Sequence, residues 1–172
     1  NFRKKLWTSE KAPKHYEPLM QYVDVCIGNE EDAEFVWLQA GCGREGGSTE
    51  AEGYKGIFKG MMDTFGFKYV ISTLRESISG HSQRVESHDN DGKEFYVSKR
   101  YDKTIIDRVG GGDSFSGGII HGLLTMKTQG EALEFAVAAS ALKHTIPGDF
   151  NMVSAEEVAA LAGGSANGRV QR

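Results

Sequence analysis

Four consecutive residues could do chemistry: Gly110-Gly111-Gly112-Asp113, set between Ile105-Ile106 and an apolar run that opens at Phe115. Three glycines in a row allow a backbone reversal in which several N–H groups converge on one point. A helix opening at Asp113 or Ser114 would add its unpaired first-turn N–H groups and the positive end of its dipole. Such an arrangement attracts an anion, most naturally a phosphate. Asp113 sits badly beside a resting phosphate, because like charges repel. It suits another task, taking the proton from a hydroxyl as that hydroxyl attacks phosphorus. A plainer reading also stands, in which the glycines only make a turn and Asp113 is the helix N-cap.

The glycine turn needs an element on each side to hold it. Ile105-Ile106 reads as a short apolar strand leading in. Behind the turn, Phe115, Ile119, Ile120, Leu123 and Leu124 mark one face of a helix, and Gly117-Gly118 would let that helix pack closely on a sheet. A further helix starts at Gln129-Gly130-Glu131 and runs through Phe135, Val137 and Leu142. A last one opens at Ser154, with Glu157 three residues on, a capping box.

The first half of the chain alternates in the same way. An amphipathic run through Tyr16, Leu19, Met20 and Tyr22 is shortened or kinked by Pro13 and Pro18. Val23 to Gly28 is β-type, and Asn29 reads as the N-cap of a helix from Ala33 to Gln39. Gly41-Cys42-Gly43-Arg44-Glu45-Gly46 matches a dinucleotide fingerprint in letters, but a helix precedes it where a strand is required, so that reading is rejected. A capping box at Thr49 to Glu52 opens a helix to about Phe65, with Tyr54, Ile57, Phe58, Met61 and Met62 on its apolar face. Lys68 to Leu74 is a strand. Residues 80–88 and 93–99 are extended runs joined by a hairpin at Asn90-Asp91-Gly92; the remaining ligands of a calcium loop are missing there. Strands alternating with helices indicate an α/β fold with a mainly parallel sheet.

The totals set limits. The 172 residues fit one domain with a buried core, over 1–162, followed by a loose tail over 163–172. With 39% hydrophobic and 26% charged residues, the composition is that of an ordinary globular protein. A net charge of −4 argues against a nucleic-acid partner. No stretch approaches the roughly 20 apolar residues of a membrane span. The basic start, Asn1 to Lys5, lacks the apolar region of a signal peptide, and Cys26 and Cys42 read as reduced thiols. These features lead us to expect a cytoplasmic protein.

Asp107, Gly110 to Asp113, Phe115 and Gly117-Gly118 together resemble the C-terminal signature of the ribokinase-like (PfkB) carbohydrate kinases, Asp-Thr-x-Gly-Ala-Gly-Asp-x-Phe. Arg108-Val109 replaces Thr-x and Gly111 replaces the Ala, a version similar to that of the 2-keto-3-deoxygluconate kinase branch. Asn1, Arg3, Leu6 and Trp7 resemble a second motif of that branch, as does Lys143 to Asn151. The resemblance spans Asn1 to about Leu161, the C-terminal half of a family member. It implies a three-layer α/β/α fold and ATP-dependent phosphorylation of a sugar acid at its 6-hydroxyl, with Asp113 as base and Gly110, Gly111 and Gly112 stabilising the transferred phosphoryl group. It implies that Arg3 grips the substrate carboxylate, as a bidentate guanidinium can. It places Ser72, Thr73, Arg75, Ser77, Lys143 and His144 near ATP, with the residues after Leu74 forming a loop over the nucleotide. Mg2+ is implied near Asn29, supported through water by Glu31 or Asp32. A homo-oligomer is expected. A neutral-sugar kinase and a non-catalytic fragment stand as alternatives.

Overall fold

A computed structural model describes residues 5–8, 10–29, 50–79 and 82–164. In chain order the elements are α1 (Lys11–Met20), β1 (Val25–Asn29), α2 (Glu50–Phe65), β2 (Tyr69–Ser79), β3 (Ser82–Asn90), β4 (Phe95–Val97), β5 (Tyr101–Thr104), α3 (Gly111–Thr125), α4 (Gln129–Lys143) and α5 (Ala155–Ala162). The five strands form one sheet ordered β1-β2-β3-β4, with β5 also pairing β3. β1 and β2 are parallel, Val25 opposite Tyr69; β3 is antiparallel to β4 and to β5. The expected helix over 33–39 and the tail from residue 165 lie outside the described residues.

The chain divides into two compact units, the first comprising residues up to Leu74 with Ser87–Val97, and the second Arg75–Glu86 with Ser98 onward. In the first, α2 presents Tyr54, Ile57, Phe58 and Met61 on one buried face, the spacing of a helix stripe. Phe67 and Val70 complete that core. The hairpin adds an aromatic edge: the His88 ring lies 5.4 Å from Tyr54 and 5.3 Å from Phe95. Its turn is held by Asp91, whose Oδ1 accepts the N–H groups of Lys93 and Glu94, each at 2.8 Å. Asp91 thereby supplies the turn chemistry that its sequence position implies.

The second unit is built around α4. Residues Phe135 to Ala141 are all buried, so this helix is enclosed nearly all round rather than on one stripe. It begins with a full capping box, Thr128 with Glu131, and α5 begins with another, Ser154 with Glu157. Glu134 ties the entry to β5 onto α4, accepting the Lys99 N–H at 2.7 Å. It also faces the Tyr101 hydroxyl, whose pKa burial and the neighbouring Glu134 carboxylate push up to about 12.

The close packing expected of Gly117-Gly118 is made against a helix, not the sheet. A Cβ on Gly118 would lie 2.9 Å from the Ala136 Cα, and one on Gly122 would lie 2.6 Å from the Ala132 Cα. Gly118 and Gly122 are one turn apart, so they form a groove for α4. Gly117 faces open space. Gly122→Ala is expected to destabilise the protein by about 1–3 kcal/mol through overpacking. Gly117→Ala should instead stabilise it by about 0.5–1 kcal/mol, the helix-propensity gain. Denaturant unfolding of the two variants measures the contrast, and equal effects would contradict this packing.

Candidate active site

β5 stops at Thr104, so Ile105-Ile106 is not a strand. The reason is a competing acceptor. The N–H groups of Ile106 and Asp107 both donate to the His144 carbonyl, at 2.8 and 3.2 Å, which ties this segment to the end of α4 instead of to a sheet partner. Ile106 is left exposed. Asp107 then closes the loop: its carboxylate accepts the Val109 N–H at 3.0 Å and the Gly148 N–H at 2.8 Å. These N–H groups, Val109 first, hold its carboxyl below the ordinary value of 3.8, with the Lys143 ammonium adding a smaller effect.

The glycines are required by contact as much as by turning. Gly110 is left-handed, with φ 78°, and a Cβ there would fall 2.1 Å from the Asp149 carbonyl oxygen. A Cβ on Gly111 would fall 2.5 Å from Cε1 of His144. The His144 ring is buried, and its Nδ1–H donates to the Ser140 carbonyl at 2.6 Å, which fixes ring and tautomer together. Lys143 is fully buried, and its Nζ donates to the Ile146 carbonyl at 3.1 Å, bracing the turn that carries Gly148.

The helix α3 opens at Gly111, two residues earlier than the sequence suggests, because the contacts to Asp149 and His144 bring glycines into the first turn despite their low propensity. Gly110 is therefore the N-cap, and it offers no side chain. Asp113 is the third helical residue, exposed in the first turn, which removes the reading of Asp113 as an N-cap. The Ser114 N–H donates to the Gly110 carbonyl at 2.8 Å. Among the described residues, the N–H groups of Gly112 and Asp113 have no protein acceptor. Two outward N–H groups at the positive end of a 15-residue helix suit a phosphate oxygen, with a carboxylate one side chain away.

The structure thus brings together Gly110, Gly111, Gly112, Asp113, Lys143 and His144 in the second unit. Ser72 and Thr73 lie in the first unit, buried in β2, and Ser72 Oγ has no hydrogen-bond partner among the described residues. β2 continues to Ser79, so Arg75 and Ser77 lie in a strand rather than in the expected loop, their side chains outside the described residues. Asn29 is the half-buried last residue of β1 and does not cap a described helix. Arg3, Glu31 and Asp32 lie outside the described residues. Among the described residues no three His, Cys, Asp or Glu side chains cluster as a metal site. No described helix is long and apolar enough to cross a membrane. Asp149 and Asn151 fall within the run Lys143 to Asn151 that carries the family resemblance, but neither was singled out there; the turn-forming Pro147-Gly148 beside them was the only local signal.

Comparison with known proteins decides the family. The family model described as pfkB family carbohydrate kinase matches residues 1–155. The chain belongs to the pfkB family of carbohydrate kinases. A crystal structure of 2-dehydro-3-deoxygluconokinase from Thermotoga maritima is similar with 45% identity and a TM-score of 0.86, the match covering 95% of this chain and 48% of that one. A PfkB family carbohydrate kinase from Listeria grayi shares 32% identity and a TM-score of 0.79 over 95% of this chain and 48% of its own. The 2-dehydro-3-deoxygalactonokinase of Haloferax volcanii is 29% identical over 167 residues, 96% of this chain and 46% of its own. The chain therefore spans about half the length of these relatives. Its fold is the ribokinase-like α/β fold of the pfkB kinases.

In this pfkB chain the Asp107 clip carries a pH signature. Because the folded state lowers the carboxyl pKa, the ionised clip stabilises the fold fully above 3.8 and the gain is lost as pH falls through the lowered value. Asp107→Asn is expected to melt below the unsubstituted protein at neutral pH, with the gap closing below pH 3.8. A gap independent of pH, in thermal melts across that range, would contradict the clip.

Proposed function

We propose that the protein to which these residues belong transfers the γ-phosphoryl group of ATP to the 6-hydroxyl of a 2-keto-3-deoxy sugar acid, 2-keto-3-deoxygluconate foremost. The observation that carries this reading is the pairing of the two outward N–H groups at Gly112 and Asp113 with the exposed Asp113 carboxylate. The preference for the gluconate-derived acid is supported by the higher identity to the Thermotoga maritima kinase than to the Haloferax volcanii one, 45% against 29%.

In the proposed reaction the Asp113 carboxylate accepts the proton of the sugar hydroxyl while its oxygen bonds to the γ-phosphorus and the bond to the ADP oxygen breaks. Negative charge spreads over the three equatorial oxygens in transit. The glycine turn and helix dipole stabilise that charge without reorganising, because His144, Asp149 and Asp107 already hold the turn. Mg2+ would neutralise phosphate charge during transfer, and Asn29 with either Glu31 or Asp32, through water, would support the metal. Arg3 would grip the sugar carboxylate, and Ser72, Thr73, Arg75, Ser77, Lys143 and His144 would serve the nucleotide side, Lys143 and His144 through the turn they brace.

Asp113→Asn keeps the shape of the first turn and removes the base. Coupled measurement of ADP release with ATP and 2-keto-3-deoxygluconate is expected to show kcat lowered about 10²- to 10⁴-fold. Retention of more than about a tenth of the turnover would contradict the assignment.

A further inference from the structure

The start of α3 has no side-chain cap, because its N-cap is a glycine. A helix end of this kind ordinarily frays, yet the proposed chemistry needs Asp113 held to a fraction of an ångström. The side chain of Asn151 adds a side-chain restraint from the flank. Its Nδ2 donates one hydrogen bond to Ser114 Oγ and another to the Ala139 carbonyl at 3.2 Å. Its Oδ1 accepts the Val153 N–H at 3.4 Å. An asparagine amide has two donors, and both are committed.

One side chain therefore joins three places: the first turn of α3, the middle of α4 and the segment that leads into α5. The α3 end of this brace is Ser114, the residue directly after Asp113. Buried Phe115 seats this end of the helix on the core, and the hold on Ser114 adds a second point that limits rotation of the turn, and so the direction in which Asp113 leaves the helix. The glycine contacts do not do this. Gly110 and Gly111 set how closely the loop approaches, but with no side chain they give the turn no lever against rotation.

We propose that Asn151 is a positioning residue for Asp113, acting through the Ser114 hydroxyl, and this rests on the reading of Asp113 as the base. Asn151 touches neither substrate nor phosphate in this account. Its effect falls on the geometry of proton transfer, so it belongs in kcat and not in substrate affinity.

The test is a double-mutant cycle in the complete kinase carrying these residues, with Asn151→Ala, Ser114→Ala and the pair, and Ser114→Thr as the variant that keeps an Oγ. Either alanine variant is expected to lower kcat about tenfold or more while KM for ATP and sugar stays within about twofold. The double variant should lose no more than the worse single one, since both break one brace, and Ser114→Thr should retain most turnover. A lowered melting temperature with kcat per folded molecule unchanged would show a contact of the fold only and would overturn the proposal, as would additive losses. Absence of turnover in the unsubstituted enzyme, or full turnover in Asp113→Asn, is a failure of the kinase reading and not of the brace. The brace is then decided by the amide shifts of Gly112 and Asp113 in the unliganded protein, which move in Asn151→Ala if it holds the turn and stay in place if it does not.

Discussion

The second unit depends on one close crossing of backbone, where the segment after α4 runs against the glycine turn before α3. The Asp149 carbonyl and the His144 ring occupy the space that side chains on Gly110 and Gly111 would fill. A carbonyl this near a helix N-terminus is electrostatically favourable, and the crossing is locked on both sides by hydrogen bonds. The His144 carbonyl takes two N–H groups from the incoming chain, and Asp107 takes one from each strand of the crossing. Every later property of the site follows from this contact. With the loop this close, the helix must begin with glycine, and with glycine at its start its outward N–H groups remain uncovered.

The rest of the unit keeps that crossing rigid. α4 is buried along most of its length and delivers Lys143 and His144 to the crossing at its C-terminal end. α3 lies against α4 through Gly118 and Gly122, so the helix bearing Asp113 cannot shift along its partner without a clash. An anion site built on backbone N–H groups depends on such rigidity, because its donors help only if they are already aimed when charge develops. The buried lysine illustrates the same economy. Its ammonium is spent on the Ile146 carbonyl and on the field at Asp107, both of which serve the turn.

Much of this was written in the sequence where local chemistry decides local structure. The Ser154–Glu157 capping box, the stripe from Tyr54 to Met61 and the Asp91-Gly92 hairpin each have an internal cause, and each appears as expected. The misreadings share a different cause: a partner far along the chain outweighed the local pattern. Ile105-Ile106 looks like a strand, but its backbone is taken by His144, about 40 residues away. Gly111 looks like a loop residue, but its backbone packs directly against the His144 ring and it opens the helix. β2 runs on through polar residues to Ser79, where no apolar alternation marks a strand. At the candidate site, Asp113 stands out in the sequence because a carboxylate after three glycines is chemically odd. Asn151 does not, because an asparagine in a turn-rich run is ordinary until its two donors are seen to be engaged.

The reaction proposed here requires the start of α3 to be a preorganised anion site. The most direct test follows the backbone amide resonances of the isotopically labelled protein during titration with inorganic phosphate and then with ATP. Gly112 and Asp113 are expected to shift first and furthest, at low phosphate, with Gly110 and Gly111 following through the turn. Shifts spread over surface lysines, or none at Gly112 and Asp113 while ATP binds elsewhere, would contradict it.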